Sequence, residues 1–428
     1  MKVLVVGGGG REHALCWAVR RDVPAASLFA APGNPGTALL ATNLPIAATA
    51  IDELVAAVKK HQIELVIVGP EGPLAAGLAD RLIKEGVAVF GPSAAAARLE
   101  SSKAFAKDLM QRIGVPTAAS ATFTDLERAL GHIDRHAEPL VVKASGLAGG
   151  KGAIVCATRA EAKDAARAML ADRRFGEAGN EVVIEEFLEG EELSVLALTD
   201  GEHAVLLPPA QDHKRLGEGD TGPNTGGMGA YCPVAIAKAP LLRRVQHEII
   251  HPVLEAMAAA KTPYRGVLYV GLMIRADGSP AVIEFNARFG DPETQAVVPV
   301  LPIGITHAMG AIAHQTWHPE VDMLNGKGAA VSVVLASQGY PDKPETGAAI
   351  TIPEDLGQDV VVFHAGTTRD DKGVLRVAGG RVLNVVGLGP TVAAAAQASL
   401  AACQRIDYKG KVYRRDIARR ELERARTS

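Results

Sequence analysis

Cysteine is scarce in this chain and never closely paired. Cys16, Cys156, Cys232 and Cys403 lie far apart, with no CxxC spacing anywhere in the 428 residues. That argues against a zinc knuckle or a redox motif, and for ordinary thiols in a reducing compartment. A charge excess is missing too. Lys+Arg total 45 against Asp+Glu 48, a net charge of −3, so no general nucleic-acid or membrane surface is expected. A local basic pocket for a phosphorylated metabolite stays open. Long apolar runs are absent. The first, Val3 to Val6, stops at four glycines and Arg11-Glu12, too short for a signal peptide, and no stretch reaches the ~20 residues of a membrane span. A soluble, cytoplasmic protein is expected. What is abundant is apolar side chain, 48% of residues, enough at this length for roughly two to four domains.

The first hundred residues alternate short apolar strands (Lys2–Val6, Ser27–Ala31, Glu64–Val68, Val87–Phe90) with helical sequence, which predicts a doubly wound parallel sheet. Its Gly- and Pro-rich turns, at Gly7–Gly10, Pro32–Gly36 and Gly69–Gly72, would gather at the edge where open α/β folds bind ligands. From about Ser101 the pattern becomes α+β. A helix over Ser102–Ile113 precedes a unit of helix, strand Pro139–Lys143, Gly-rich loop, strand Ala153–Ala157, helix Arg159–Leu170 and strand Glu181–Phe187. A hairpin over Glu192–Leu207 and a second, Gly266–Ile274 with Ala281–Asn286, flank a polar Gly-rich segment, Gln211–Met228, expected to be an irregular lid, and a helix at about Leu241–Ala259. After Lys327 short strands and one Ala-rich helix, Thr391–Ala402, suggest a smaller α+β domain.

Four glycines after the first strand invite a dinucleotide-binding reading, which fails. The third glycine of G-x-G-x-x-G is Glu12 or His13 here, and the second strand ends without an acidic residue for a ribose. Bare N–H groups at a helix N-terminus still suit a phosphate. More specific is Lys143 followed by Ser145–Gly152, where glycines let main chain fold over phosphate oxygens and Lys143 and Lys151 frame the loop. It is no Walker motif, because Gly152 follows Lys151. Glu284, Asn286 and Arg288 share one face of a strand by period two. A carboxylate and an amide oxygen suit Mg²⁺, and the guanidinium a carboxylate or phosphate; the alternative is a polar face turned to water. His213 reads as a catalytic base or, more simply, a hydrogen-bonding residue.

In this order the strings GGGGREHA (Gly7–Ala14), PGNPGT (Pro32–Thr37), VGPEGPL (Val68–Leu74), SKAFAKDLM (Ser102–Met110), VVKASGLAGGKG (Val141–Gly152), IEEFLEGEE (Ile184–Glu192), QDHKR (Gln211–Arg215), DTGPNTGGMGAY (Asp220–Tyr231) and IEFNARFGDPETQ (Ile283–Gln295) resemble the ATP-grasp superfamily, and within it the phosphoribosylamine–glycine ligases. The resemblance implies an α/β and α+β multidomain protein: an N-terminal Rossmann-like parallel sheet (1–100), a two-lobed ATP-grasp core with its large lobe over 101–122 and 188–326 and its small lobe over 123–187, and a small C-terminal α+β domain (327–428). It implies ATP and Mg²⁺ or Mn²⁺, with glycine and 5-phosphoribosylamine as substrates, in a monomer with at most weak self-association. By position it implies ATP contacts at Lys103, Lys143, Gly149, Lys151, Gly152, Glu185, Phe187, Leu188, Glu192 and Lys214, and metal ligands Glu284 and Asn286. Substrate contacts would be Gly9, Gly10, Asn34, Glu71, Asp212, Asn224, Thr225 and Arg288, with Arg288 and Lys214 closest to the chemistry. The chain departs from the pattern in having Gly8 and Gly149 where larger residues are common. It also has no carboxylate on Gly266–Ile274, the first strand of the metal hairpin.

Overall fold

The structure is a computed structural model that describes residues 1–427. Strands Thr42–Asn43, Ser27–Pro32, Lys2–Gly7, Leu65–Val68 and Ala88–Phe90 lie side by side in that order, all parallel. Residues Val3 to Val6 and Leu65 to Val68 are buried on both faces, which is why they read as unbroken apolar runs. The chain reverses its winding beside Lys2–Gly7, so the turns at Gly7, Pro32 and Gly69 converge there as expected.

A second sheet, Ser120–Phe123, Val182–Glu186, Leu140–Ala144 and Ala153–Cys156, is antiparallel throughout. Helices Leu126–Asp134 and Arg159–Leu170 cover it, started by the side chains of Asp125 and Thr158, which accept the N–H groups of Arg128 and Glu161. Ala129, Ile133, Ala162 and Met169 pack there on Leu140, Val142 and Ile184 as a core of their own. By contrast one apolar cluster runs from Leu4 through Val270 to Val331, joining the first sheet, the large-lobe hairpins and the C-terminal sheet. The small lobe is therefore a separately packed body on a continuous base.

The large-lobe hairpins make one antiparallel sheet, Ala204–Leu206, Glu191–Thr199, Gly266–Ile274 and Pro280–Asn286. The helix expected over 241–259 is interrupted: Ala239–Val245 and His251–Ala259 flank a π-turn, Gln246–Ile250. Pro252 lacks the N–H that an unbroken α-helix needs.

Two expectations change. The boundary expected between 326 and 327 is not a sheet boundary, because Gln211–Asp212 and Gly229–Cys232 join Ala329–Ser337, Arg381–Gly389 and Val360–His364 in one sheet. Nor is 211–228 irregular. It carries a hairpin, Arg215–Gly217 with Thr221–Asn224, whose turn is tied down by the C-terminal segment. Asp220 accepts from Arg414 at 3.0 Å and Arg420 at 3.1 Å, and the N–H of Gly219 donates to Asp416 at 2.8 Å. Among the described residues no single helix is long and apolar enough to cross a membrane.

Candidate active site

A cavity of about 490 Å³ opens where the small lobe faces the large-lobe hairpins and the N-terminal sheet. At one wall of the cavity, Ser102 caps helix Lys103–Ile113 by accepting the N–H of Phe105 at 3.2 Å. Ser145 fastens that helix to the phosphate-loop candidate: its carbonyl accepts the N–H of Lys103 at 2.8 Å and its hydroxyl that of Ala104 at 3.1 Å. Between Leu140–Ala144 and Ala153–Cys156 the loop turns through Gly149 at φ 57° and Gly150 at φ 76°, left-handed backbone that glycine adopts without strain. Lys103, Lys143, Gly149 and Gly152 all line the cavity. Burial pushes the Lys103 amine below its usual range, opposed by the charge of Glu284.

Lys151 does not line it. Its Nζ donates to the carbonyl of Pro341 at 2.9 Å, so it ties the loop to the C-terminal region. Lys143 crosses the cavity, 2.9 Å from Glu185 Oε2 and 3.1 Å from the carbonyl oxygen of Ile283. Glu185 also meets Lys107 at 3.3 Å, while its Oε1 is buried without a hydrogen-bond partner. Burial lowers the Lys107 amine to about 8 against the pull of Glu185. Phe187 and Leu188 follow the end of strand Val182–Glu186 at the cavity wall. Glu192 is 2.5 Å from Lys214 Nζ.

Opposite stands the metal candidate. A bulge shifts the register between Gly271 and Leu272, so Glu284 lies across from Gly271 and Asn286 across from Tyr269. Residues directly opposite share a face, and Glu284, Asn286 and Tyr269 all line the cavity. Burial raises the Glu284 carboxyl, but Lys214, Lys143, Lys103 and Arg288 together hold it below its ordinary value. An anionic carboxylate beside an amide oxygen, with a glycine across from it, fits a hard divalent cation that completes its shell with phosphate and water.

Arg288 is already engaged. It donates to Asn286 Oδ1 at 3.1 Å and to the Phe289 carbonyl at 3.3 Å, and pairs with Glu100 at 2.9 Å and Glu71 at 3.3 Å. Burial alone would lower its affinity for the proton, but Glu100 and Glu71 raise it well beyond the usual. The Glu71 carboxyl, lifted by burial, is brought below its usual range by Arg288 and Arg11.

The structure does not bring Gly9, Gly10 or Asn34 to the cavity. The N–H of Gly9 donates to Glu12 at 2.7 Å, so the helix N-terminus holds the protein's own carboxylate. A Cβ on Gly10 would stand 2.3 Å from Asn384 Nδ2, since the C-terminal sheet packs there. Asn34 donates to the carbonyls of Gly8 at 2.9 Å and His364 at 2.8 Å and accepts from Gly36 and Thr37, so it ties strand ends together. His213 likewise serves structure, its Nε2 accepting the N–H of Ala418 at 3.0 Å. Asp212, Asn224 and Thr225 do reach the cavity, and burial pushes Asp212 up to about 8 against the pull of Lys214.

Several lining residues escape sequence reasoning. Lys107 was accessible, one helical turn beyond Lys103 in SKAFAKDLM. Glu100, Tyr269 and Arg381 line the cavity too, with no local pattern to mark them, and Glu293 does so from within the string Ile283–Gln295.

Comparison with known proteins settles the family. The profile of the phosphoribosylglycinamide synthetase N domain matches residues 1–100, that of the ATP-grasp (A) domain 101–294 and that of the C domain 330–420. The chain belongs to the phosphoribosylglycinamide synthetase family. Phosphoribosylamine–glycine ligase of Ralstonia nicotianae is 48% identical over 428 residues, covering 99% of this chain and 100% of that one. The Xanthomonas axonopodis pv. citri enzyme of the same name is 45% identical over 435 residues, covering 100% and 99%. Among solved structures, phosphoribosylamine–glycine ligase of Thermotoga maritima superposes with a TM-score of 0.87 at 35% identity over 98% of this chain and 100% of that one. Biotin carboxylase of Campylobacter jejuni, at 15% identity, a TM-score of 0.75 and 96% and 92% coverage, shares the fold. Family membership makes this chain an ATP-using carbon–nitrogen ligase with an ATP-grasp core.

Proposed function

We propose that this chain joins glycine to 5-phosphoribosylamine at the expense of ATP in the cytoplasm, giving glycinamide ribonucleotide, ADP and phosphate. Glycine's carboxylate oxygen attacks the γ-phosphorus, the bond to ADP breaks, and glycyl phosphate forms. The amine of phosphoribosylamine then attacks the glycyl carbonyl, a C–N bond replaces the C–O bond, phosphate departs and the amine loses a proton. No covalent bond to the protein is needed, so the protein positions reactants and neutralises charge.

The observation that carries the reading is the meeting of Lys103 and Lys143 with Glu284 and Asn286 across one cavity. In this assignment the glycine loop over Gly146–Gly152 and those lysines hold the phosphates. The main chain at Glu185 to Leu188 takes the adenine, and Glu192 a ribose hydroxyl once Lys214 turns to phosphate. Glu284 and Asn286 would hold Mg²⁺ or Mn²⁺, which supplies charge neutralisation on the phosphoryl oxygens. Glu71, Asp212, Asn224, Thr225 and Arg288 face the acceptor substrates. The small lobe, residues 123–187, closes on the rest.

The test is a coupled assay for ADP. Release that depends on both glycine and phosphoribosylamine supports the ligase. Release that depends on bicarbonate and aminoimidazole ribonucleotide would point to a carboxylase, and quenching of NADH fluorescence to an oxidoreductase. Glu284→Ala should remove nearly all turnover; unchanged turnover would count against the assignment.

A further inference from the structure

Most carboxylates around the cavity have a cation. Arg288 meets Glu71 and Glu100, Lys143 meets Glu185, and Lys214 meets Glu192. Glu293, like Glu186, Asp212 and Glu284, makes no ion pair among the described residues; it is 3% exposed, lines the cavity and is met by hydroxyl groups instead. Its Oε1 is approached by two hydroxyls, Tyr269 at 2.9 Å and Ser194 at 3.1 Å, which lie 2.8 Å from each other.

That triangle is short of protons. Two hydroxyls carry two hydrogens between them, yet there are three contacts to fill. Oε2 accepts no hydrogen bond from any described residue. The site therefore has acceptors to spare, suiting a ligand that brings several N–H donors and positive charge and repelling an anion. A primary ammonium carries three donors and no acceptor.

Its place on the sheet says which ammonium. Ser194 lies across from Gly271 on one side and Glu284 across from Gly271 on the other, while Tyr269 is opposite Asn286. Ser194, Tyr269, Glu284 and Asn286 thus share one face, with the bare backbone of Gly271 between them. An α-amino acid holds its nitrogen and carboxylate oxygens only ~3 Å apart, so a molecule lying over Gly271 with its nitrogen at Glu293 would present its carboxylate on the sheet face that carries Glu284 and Asn286.

We propose that Glu293, held in place by Tyr269 and Ser194, is the seat of the α-ammonium of the amino-acid substrate. This rests on the ligase reading above. It directs glycine's carboxylate toward Glu284 and Asn286, where the γ-phosphate is to be attacked, and makes Glu293 the residue that distinguishes an amino acid from a hydroxy acid.

The experiment compares glycine with glycolate, which has a hydroxyl in place of the ammonium, in ATP-dependent ADP release. Glu293→Gln should raise the KM for glycine about a hundredfold, since it removes one member of a buried charge pair. It should narrow the glycine-to-glycolate ratio of kcat/KM by a similar factor and leave the KM for ATP unchanged. Glu293→Asp should recover part of the preference. Should Glu293→Gln fail to fold, Tyr269→Phe and Ser194→Ala report instead, each shifting the ratio a few-fold. A folded Glu293→Gln enzyme that keeps the parental ratio overturns the seat. A parent with no glycine-dependent ADP release overturns the ligase reading instead.

Discussion

Lys143 Nζ stands 2.9 Å from Glu185 Oε2, and the same amine donates to the carbonyl of Ile283, the residue before Glu284. One lysine thus joins the small lobe to the hairpin that presents the metal candidate. Lys143→Ala should raise the KM for ATP more than tenfold and leave Glu185 buried with Lys107 alone. The stability loss should be about 2 kcal/mol, less than for a fully orphaned charge because Lys107 remains. ATP titration and urea unfolding measure the two effects.

Removing the Glu284 carboxylate should weaken metal binding more than removing an outer-shell partner does, which costs about 10–100-fold. Glu284→Gln should therefore need a far higher Mg²⁺ concentration for half-maximal turnover. A chelator should silence the parent reversibly. Metal titration of turnover decides it, and an unshifted midpoint would remove Glu284 from the metal site.

Acid should loosen the contact between the N-terminal and C-terminal regions. His13 Nδ1 accepts the backbone N–H of His364 at 2.8 Å, which requires the unprotonated nitrogen. Burial, with His364 nearby, lowers His13 from 6.5 to about 3. The unfolded chain then binds the extra proton first as pH falls. The contribution is complete above about 6.5 and is lost as pH falls toward about 3, at up to about 1.4 kcal/mol per pH unit. His13→Asn, which keeps an acceptor but cannot titrate, should flatten the acid limb of a stability-versus-pH curve.

The hairpin between Arg215 and Asn224 should depend on Asp220, whose carboxyl is held far below its usual range by His213 and, against burial, by Arg414. Asp220→Asn should cost about 1–2 kcal/mol, discounted for its partial exposure. It should also expose the hairpin to proteolysis. Limited digestion with mass mapping reads this directly, and an unchanged digestion pattern would show that the tether does not hold the segment.

Local pattern carried the legible part of this site. Lys143 and the glycines after it, and Glu284 with Asn286, follow from spacing along a single element. What escaped depends on segments far apart in the chain. Arg288 looked available for a substrate anion because Glu71 and Glu100 come from distant loops and helices. Lys151 looked like a phosphate ligand because its acceptor, Pro341, is 190 residues away. Gly9 looked open although Glu12 stands three residues on, the spacing at which a carboxylate caps a helix N-terminus, and Asn34 looked open because nothing in the spacing says that His364 docks on it. The segment 211–228 looked irregular because the groups that hold its hairpin turn, Arg414, Asp416 and Arg420, follow it by nearly two hundred residues.

Glycine labelled with heavy oxygen in its carboxylate, supplied with ATP and phosphoribosylamine, tests the proposed chemistry at the bond that matters. If glycyl phosphate forms in this cavity, each phosphate released carries one labelled oxygen and the amide product has lost one. Unlabelled phosphate, with the oxygen lost from the glycine carbon recovered in water instead, would contradict an acyl-phosphate route.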